Sequence, residues 1–327
     1  MILLDRYARI MTVLISRKWM YVAGALLSCV CLFYFGQRAI QLDDKLVDLS
    51  NAKLARPLFA VVPFIMAGLA SAWAWQVMLL RCGASVRFSL AAGIFFTAQF
   101  AKYIPGNIAQ HIGRVALAKQ YNVPIVPVFA SMALEALFGI AVMFLLSMPT
   151  IATHSDVLIW LSGLILMIFA ACLLNSSRPV LKHKALNVLK ERLGGQGLKI
   201  QKWAIPIALS LLSTLLSGAG LLLLDPAFTA TPSVCLQVVS IFCVAWLAGF
   251  VTPGAPAGLG IREVILSQGL EPIIGLEAGT IVALLLRIAA TIADLVSFGV
   301  GLGLLRYSNI KAQENQCAIG HTKSVAN

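Results

Sequence analysis

Residues 103–114 read YIPGNIAQHIGR, and residues 251–262 read VTPGAPAGLGIR. Each stretch holds a Pro-Gly pair with an arginine nine residues after the proline: Pro105 and Gly106 precede Arg114, and Pro253 and Gly254 precede Arg262. One copy falls in each half of the chain. Proline removes a backbone donor and glycine weakens a helix, so each pair is expected to break one. Where lipid surrounds the chain, such a break has to be buried in protein or face a watery cavity. A helix that restarts beyond it aims free N–H groups and a positive dipole end into that cavity, and a nearby arginine suits the place to a phosphate or carboxylate.

The surroundings are those of a membrane protein. Of 327 residues, 60% are hydrophobic and 12% charged, whereas a soluble domain carries about 25% charged residues. An ordinary soluble enzyme is thereby excluded. The 25 Gly and 13 Pro follow no period, so a collagen-like chain is excluded too. A net charge of +12 on such a chain points to anionic headgroups and not to nucleic acid.

Working outward from the two breaks, residues 19–37, 57–80, 157–177 and 203–224 contain no Asp, Glu, Lys or Arg. Further spans are expected near 124–148 with Glu135 inside, near 233–251, and at 279–305 with Arg287 and Asp294 inside. The segment from Phe88 to Ala101 has 14 uncharged residues, too few for a comfortable crossing, and is read as entering and returning on one face. The basic residues Arg6, Arg9, Arg17 and Lys18 and the lysine-rich loop 178–202 then lie on the cytoplasmic side of an inner membrane.

The expected fold class is an all-α integral membrane bundle of seven or eight spans in two similar halves, each with a broken or re-entrant segment. Residues 1–18 form an interfacial amphipathic helix, 19–306 the transmembrane domain, and 307–327 a mobile polar tail. With seven crossings the tail is outside; if residues 254–272 cross, it is inside.

An ionised side chain at mid-bilayer costs roughly 2.5–3.5 kcal/mol on insertion scales, so Glu135, Arg287 and Asp294 are expected to face the bundle interior. Arg287 and Asp294, seven residues apart, share a helix face and either meet through water or find partners elsewhere. Arg114 and Arg262 are the companions available to Glu135. The plain alternative for all of these is a buried structural ion pair. The histidines and cysteines show no metal-binding spacing, and no cofactor is expected. The Gly299-x-Gly301-x-Gly303 run and the SGAG of residues 217–220 read as helix-packing surfaces.

KYIPGNIAQHIGR followed far downstream by TPGAPAGLGIRE resembles the paired signature of the lysylphosphatidylglycerol synthase transmembrane-region family. That family's second element usually resembles P-G-G-L-G-x-R-E; here it is stretched, with Pro253, Gly254, Gly258, Gly260, Arg262 and Glu263 still in place. The resemblance implies a flippase-like domain that moves a lipid between leaflets. Only 22 residues follow Leu305, so aminoacyl transfer from tRNA is not expected. The expected partners are an anionic phospholipid or a polyprenyl-phosphate-linked lipid, with a homo-oligomer allowed. The expected headgroup site is Pro105, Gly106, Arg114 and Pro253, Gly254, Gly258, Gly260, Arg262, Glu263, with Glu135, Arg287 and Asp294 along a polar path. The rival reading is a membrane-embedded transferase on lipid-linked sugars that uses Asp43 or Glu263, and a third is an accessory subunit of an envelope complex.

Overall fold

The computed structural model describes residues 51–103, 109–153, 200–252 and 256–325, with positions 33 and 37 besides. Among the described residues eight α-helices are longer than a turn and no strand occurs. In chain order they are α1 (Asn51–Arg81), α2 (Phe88–Gln99), α3 (Ala109–Gln120), α4 (Ile125–Thr153), α5 (Ile200–Leu222), α6 (Pro232–Val251), α7 (Ile261–Ile274) and α8 (Leu276–Val325). Five of these are long and apolar enough to cross a membrane, over 56–81, 125–151, 203–222, 232–251 and 276–310. They coincide with five of the expected spans. The expected spans 19–37 and 157–177 and the N-terminal helix lie outside the described residues.

Local chemistry sets the boundaries. α1 and α3 each close with the chain turned left-handed one residue past the cap, at Gly83 and at Asn122 (φ 56°). In both, crossed bonds tie the next amide back into the helix: Ala84 N donates to Leu79 O at 2.9 Å, and Val123 N to Ala118 O at 2.9 Å. α6 opens on Thr231, whose hydroxyl accepts from Val234 N, with Pro232 at the first helical position. Pro149 interrupts the backbone ladder of α4. Beside it, the buried Ser240 of α6 bonds the α4 backbone, its hydroxyl donating to Ser147 O and accepting from Thr150 N, both at 3.0 Å.

The two halves pack in a matching pattern. α1 lies along α5; α2 packs on α8 as α6 packs on α4; α2 meets α3 as α6 meets α7; and α3 meets α4 as α7 meets α8. Exchanging the first four helices for the last four therefore maps these neighbours onto one another, which is the arrangement expected of two similar halves. Gly218 and Gly220 are packing residues as expected: a Cβ at Gly220 would come within 2.7 Å of the Phe64 ring on α1, and one at Gly218 within 3.0 Å of Val239 on α6. Of the 299–303 run only Gly301 faces a neighbour, α2; Gly299 and Gly303 face open space, because residues two apart on a helix point to opposite sides. The polar stretch after residue 306 does not leave the helix, since α8 continues to Val325.

Large apolar side chains such as Leu58, Phe59, Phe129 and Leu145 are more than half exposed on the outer faces, a surface suited to lipid.

Candidate functional site

A short turn lies next to each Pro-Gly pair in the chain, and these two turns are in contact. Past α2 the chain makes a 3-10 turn, Phe100–Tyr103, and resumes as α3. Past α6 it makes another, Pro256–Gly258, and resumes as α7. The two turns touch each other, and the first also touches α8. The Pro-Gly pairs themselves, Pro105 with Gly106 and Pro253 with Gly254, lie outside the described residues. At 12 and 14 residues, α3 and α7 are about 18 and 21 Å long and too short to span.

In the first half, Arg114 is 2% exposed and forms a two-pronged ion pair with Glu135 of α4, Nη1 to Oε2 and Nη2 to Oε1. Its guanidinium lies 4.2 Å from the Phe95 ring centre and 5.2 Å from that of Trp75. Of the two companions available to Glu135, the structure selects Arg114. Beside it, burial and then the Arg114 charge hold His111 below its usual pKa, which favours a neutral imidazole.

The second half solves the same problem with a different residue. Glu263, 5% exposed, uses Oε2 to accept the Gly260 N–H at 2.7 Å, capping α7, and Oε1 to meet Arg287 Nε at 3.4 Å. Arg287 also donates from Nη1 to Ala257 O at 3.3 Å. Arg262, the counterpart of Arg114 by sequence position, has no carboxylate within 4.0 Å among the described residues. Its side chain lies in a slot between Gly249 and Gly258: a Cβ on either would approach Nε to 2.6 Å. The guanidinium is 5.3 Å from the Trp246 ring centre. Burial first, then the neighbouring Arg287 charge, brings Arg262 down to about 10, still cationic at neutral pH. Gly258 and Gly260 have φ of 70° and 83°, a region other residues rarely enter, so the turn that delivers Arg262 depends on glycine there.

Asp294 does not pair with Arg287. It reaches back to the first break, where Lys102 Nζ lies 2.7 Å and the Tyr103 hydroxyl 2.5 Å from Oδ2. α8 thus holds the 100–103 turn through Asp294 and the 256–258 turn through Arg287.

A cavity of about 660 Å³ runs through this region and is lined from both halves. Arg114, Glu135, Arg262, Glu263, Arg287 and Asp294 all line it, and Lys102 joins them. Ser71 on α1 and Ser210, Ser213, Thr214 and Ser217 on α5 form a hydroxyl wall. Sequence reading passed over Lys102, Tyr103, Gly249 and this wall. The wall was recoverable, since positions 210, 213, 214 and 217 repeat with helical spacing inside an otherwise apolar span. Gly249 carried no such signal, because its role depends on Arg262 folding back against it.

These features define a multi-pass helical membrane protein with a cavity lined by charged and hydroxyl residues from both halves. A family model for the lysylphosphatidylglycerol synthase TM region matches residues 11–297, and the chain belongs to that family. No curated protein and no solved structure matches it.

Proposed function

We propose that the protein is a flippase-like lipid translocase of the cytoplasmic membrane, with its N-terminus inside, that holds an anionic lipid headgroup in the central cavity while the acyl or prenyl chains stay in the bilayer. One observation carries this reading. Among the described residues, the charges lining the cavity resolve into three neutral pairs, Lys102 with Asp294, Arg114 with Glu135 and Arg287 with Glu263, and leave Arg262 without a carboxylate partner. Its Nε is buried without a hydrogen-bond partner among the described residues, which is costly, and an anion relieves that cost. Arg262 therefore holds the headgroup, and Arg114 shapes the site through Glu135. Membership of a family named for a phospholipid synthase's membrane region supports a lipid as the source of the anion. Rocking of the two halves about the shared cavity gives alternating access. The transferase reading loses its best acid, since both oxygens of Glu263 are engaged.

The test is transfer of a fluorescent anionic lipid between leaflets of proteoliposomes, read by quenching. The Arg262→Ala protein is expected to fold and to lose transfer, while Arg262→Lys keeps part of it. Full transfer by Arg262→Ala refutes the assignment.

A further inference from the structure

Three carboxylates line the cavity, and they are held differently. Glu263, its side chain 6% exposed, caps α7 and holds Arg287; Asp294, at 17%, holds both Lys102 and Tyr103. Glu135 is the most open of the three at 24%, and Arg114 is its one bonded partner among the described residues. One turn further along the same face of α4, a Cβ at Gly139 would meet nothing within 4 Å, so the Glu135 side chain has room to move. Arg114 is anchored independently of Glu135. Its Nη2 lies 3.4 Å from Gln99 Oε1, and its guanidinium sits over the Phe95 and Trp75 rings. The cation is therefore fixed, and the carboxylate in front of it is the part able to leave.

Few other charges act on this pair. α1 and α5, which pack against α4, bring no titratable side chain to the cavity among the described residues, and α6 has no charged residue. α3 brings Arg114 and His111, and His111 is favoured neutral by burial and by the Arg114 charge. Across the cavity stand Arg262 and the Lys102–Asp294 and Arg287–Glu263 pairs.

Resting on the translocase reading, we infer that Glu135 is a proton-binding site and that the protein carries one proton with each anionic headgroup. Arg262, with no carboxylate within 4.0 Å among the described residues, receives the headgroup first. Arg114 takes it over when Glu135 gives way. Once headgroup oxygens accept the Arg114 N–H bonds, the Glu135 carboxylate is left without that partner inside the bundle. A stranded carboxylate there is costly, and a proton removes its charge. An O–H bond forms on Glu135 as one breaks on a hydronium ion, leaving water, on the face to which the cavity is open. When the headgroup leaves on the other face, Arg114 reclaims the carboxylate and the proton passes to water there. The coupling is reciprocal: the anion raises the proton affinity of Glu135 by the factor by which the proton raises the anion affinity of Arg114. Proton and anion cross in the same direction, so a pH gradient drives the headgroup toward the alkaline side.

The first measurement follows proton uptake with a pH-sensitive dye as phosphatidylglycerol is added to the purified full-length protein in weakly buffered detergent, the lipid retained being counted by native mass spectrometry. About one proton per lipid bound is expected for the native protein, and none for Glu135→Gln, whose amide does not titrate. Binding without uptake, or equal uptake by the variant, overturns the inference. The second measurement uses proteoliposomes with an imposed pH gradient and the membrane potential clamped by valinomycin and potassium. Acyl-labelled fluorescent phosphatidylglycerol is expected to gather in the leaflet on the alkaline side, roughly tenfold per pH unit beyond protein-free vesicles. Glu135→Gln is expected to show no such enrichment. Should that variant fail to fold, the stoichiometry and gradient response of the native protein decide the matter alone. Transfer by the native protein that ignores the gradient overturns the coupling and leaves the translocase reading standing. Neither binding nor transfer by the native protein instead refutes the translocase reading itself.

Discussion

Arg114 and Arg262 stand nine residues after equivalent prolines and end in different electrostatic company. Glu135 neutralises the first, whereas the second lies between two glycines and a tryptophan with no carboxylate within 4.0 Å among the described residues. Breaking a buried pair by removing one partner leaves the other charge stranded, so Arg114→Ala is expected to cost about 3 kcal/mol in thermal or denaturant unfolding. The Arg114→Met/Glu135→Met double variant is expected to recover most of that loss; no recovery would mean that the pair does not act as a unit. Gly249→Ala pushes a methyl group against Arg262 and is expected to cut anionic-lipid retention more than tenfold. Gly299→Ala, which meets nothing within 4 Å, is expected to leave retention unchanged. Equal effects of the two alanines would remove the slot from the explanation. At this scale the sequence showed which residues are polar in an apolar chain, and pairing was only partly legible. Arg114 was among the partners available to Glu135, whereas the pairing of Asp294 with Lys102, 192 residues away, depends on how the halves dock.

At the scale of elements, α8 fastens both turns: Asp294 holds the 100–103 turn, Arg287 with Glu263 holds the 256–258 turn, and the Phe100 and Phe298 rings stand 4.8 Å apart between the first turn and α8. Asp294→Asn weakens the hold on Lys102 and Tyr103 only. Faster hydrogen exchange is expected at residues 100–103, with exchange at 261–274 unchanged; acceleration of both segments would show that they do not respond separately. The spans were legible because a helix in lipid needs about twenty apolar residues without interruption. The continuation of α8 past residue 306 was not, because composition alone does not separate a polar helix from an irregular tail, and the glycine run spoke of packing where only Gly301 packs.

For the whole molecule, the matching neighbours of the two halves and the cavity between them are the features a translocating bundle needs. The halves are alike in outline and unlike in charge, and among the described residues that difference leaves Arg262 without a carboxylate partner in the cavity. The most direct measurement is photolabelling of the membrane-embedded protein with an anionic phospholipid whose diazirine sits in the headgroup, followed by peptide mapping. Labels are expected within 96–114 and 246–263, and labelling of both is expected to fall in Arg262→Ala. Labels confined to outward-facing positions such as Phe59, Phe129 or Leu145, and unaffected by that substitution, would contradict a headgroup held in the central cavity.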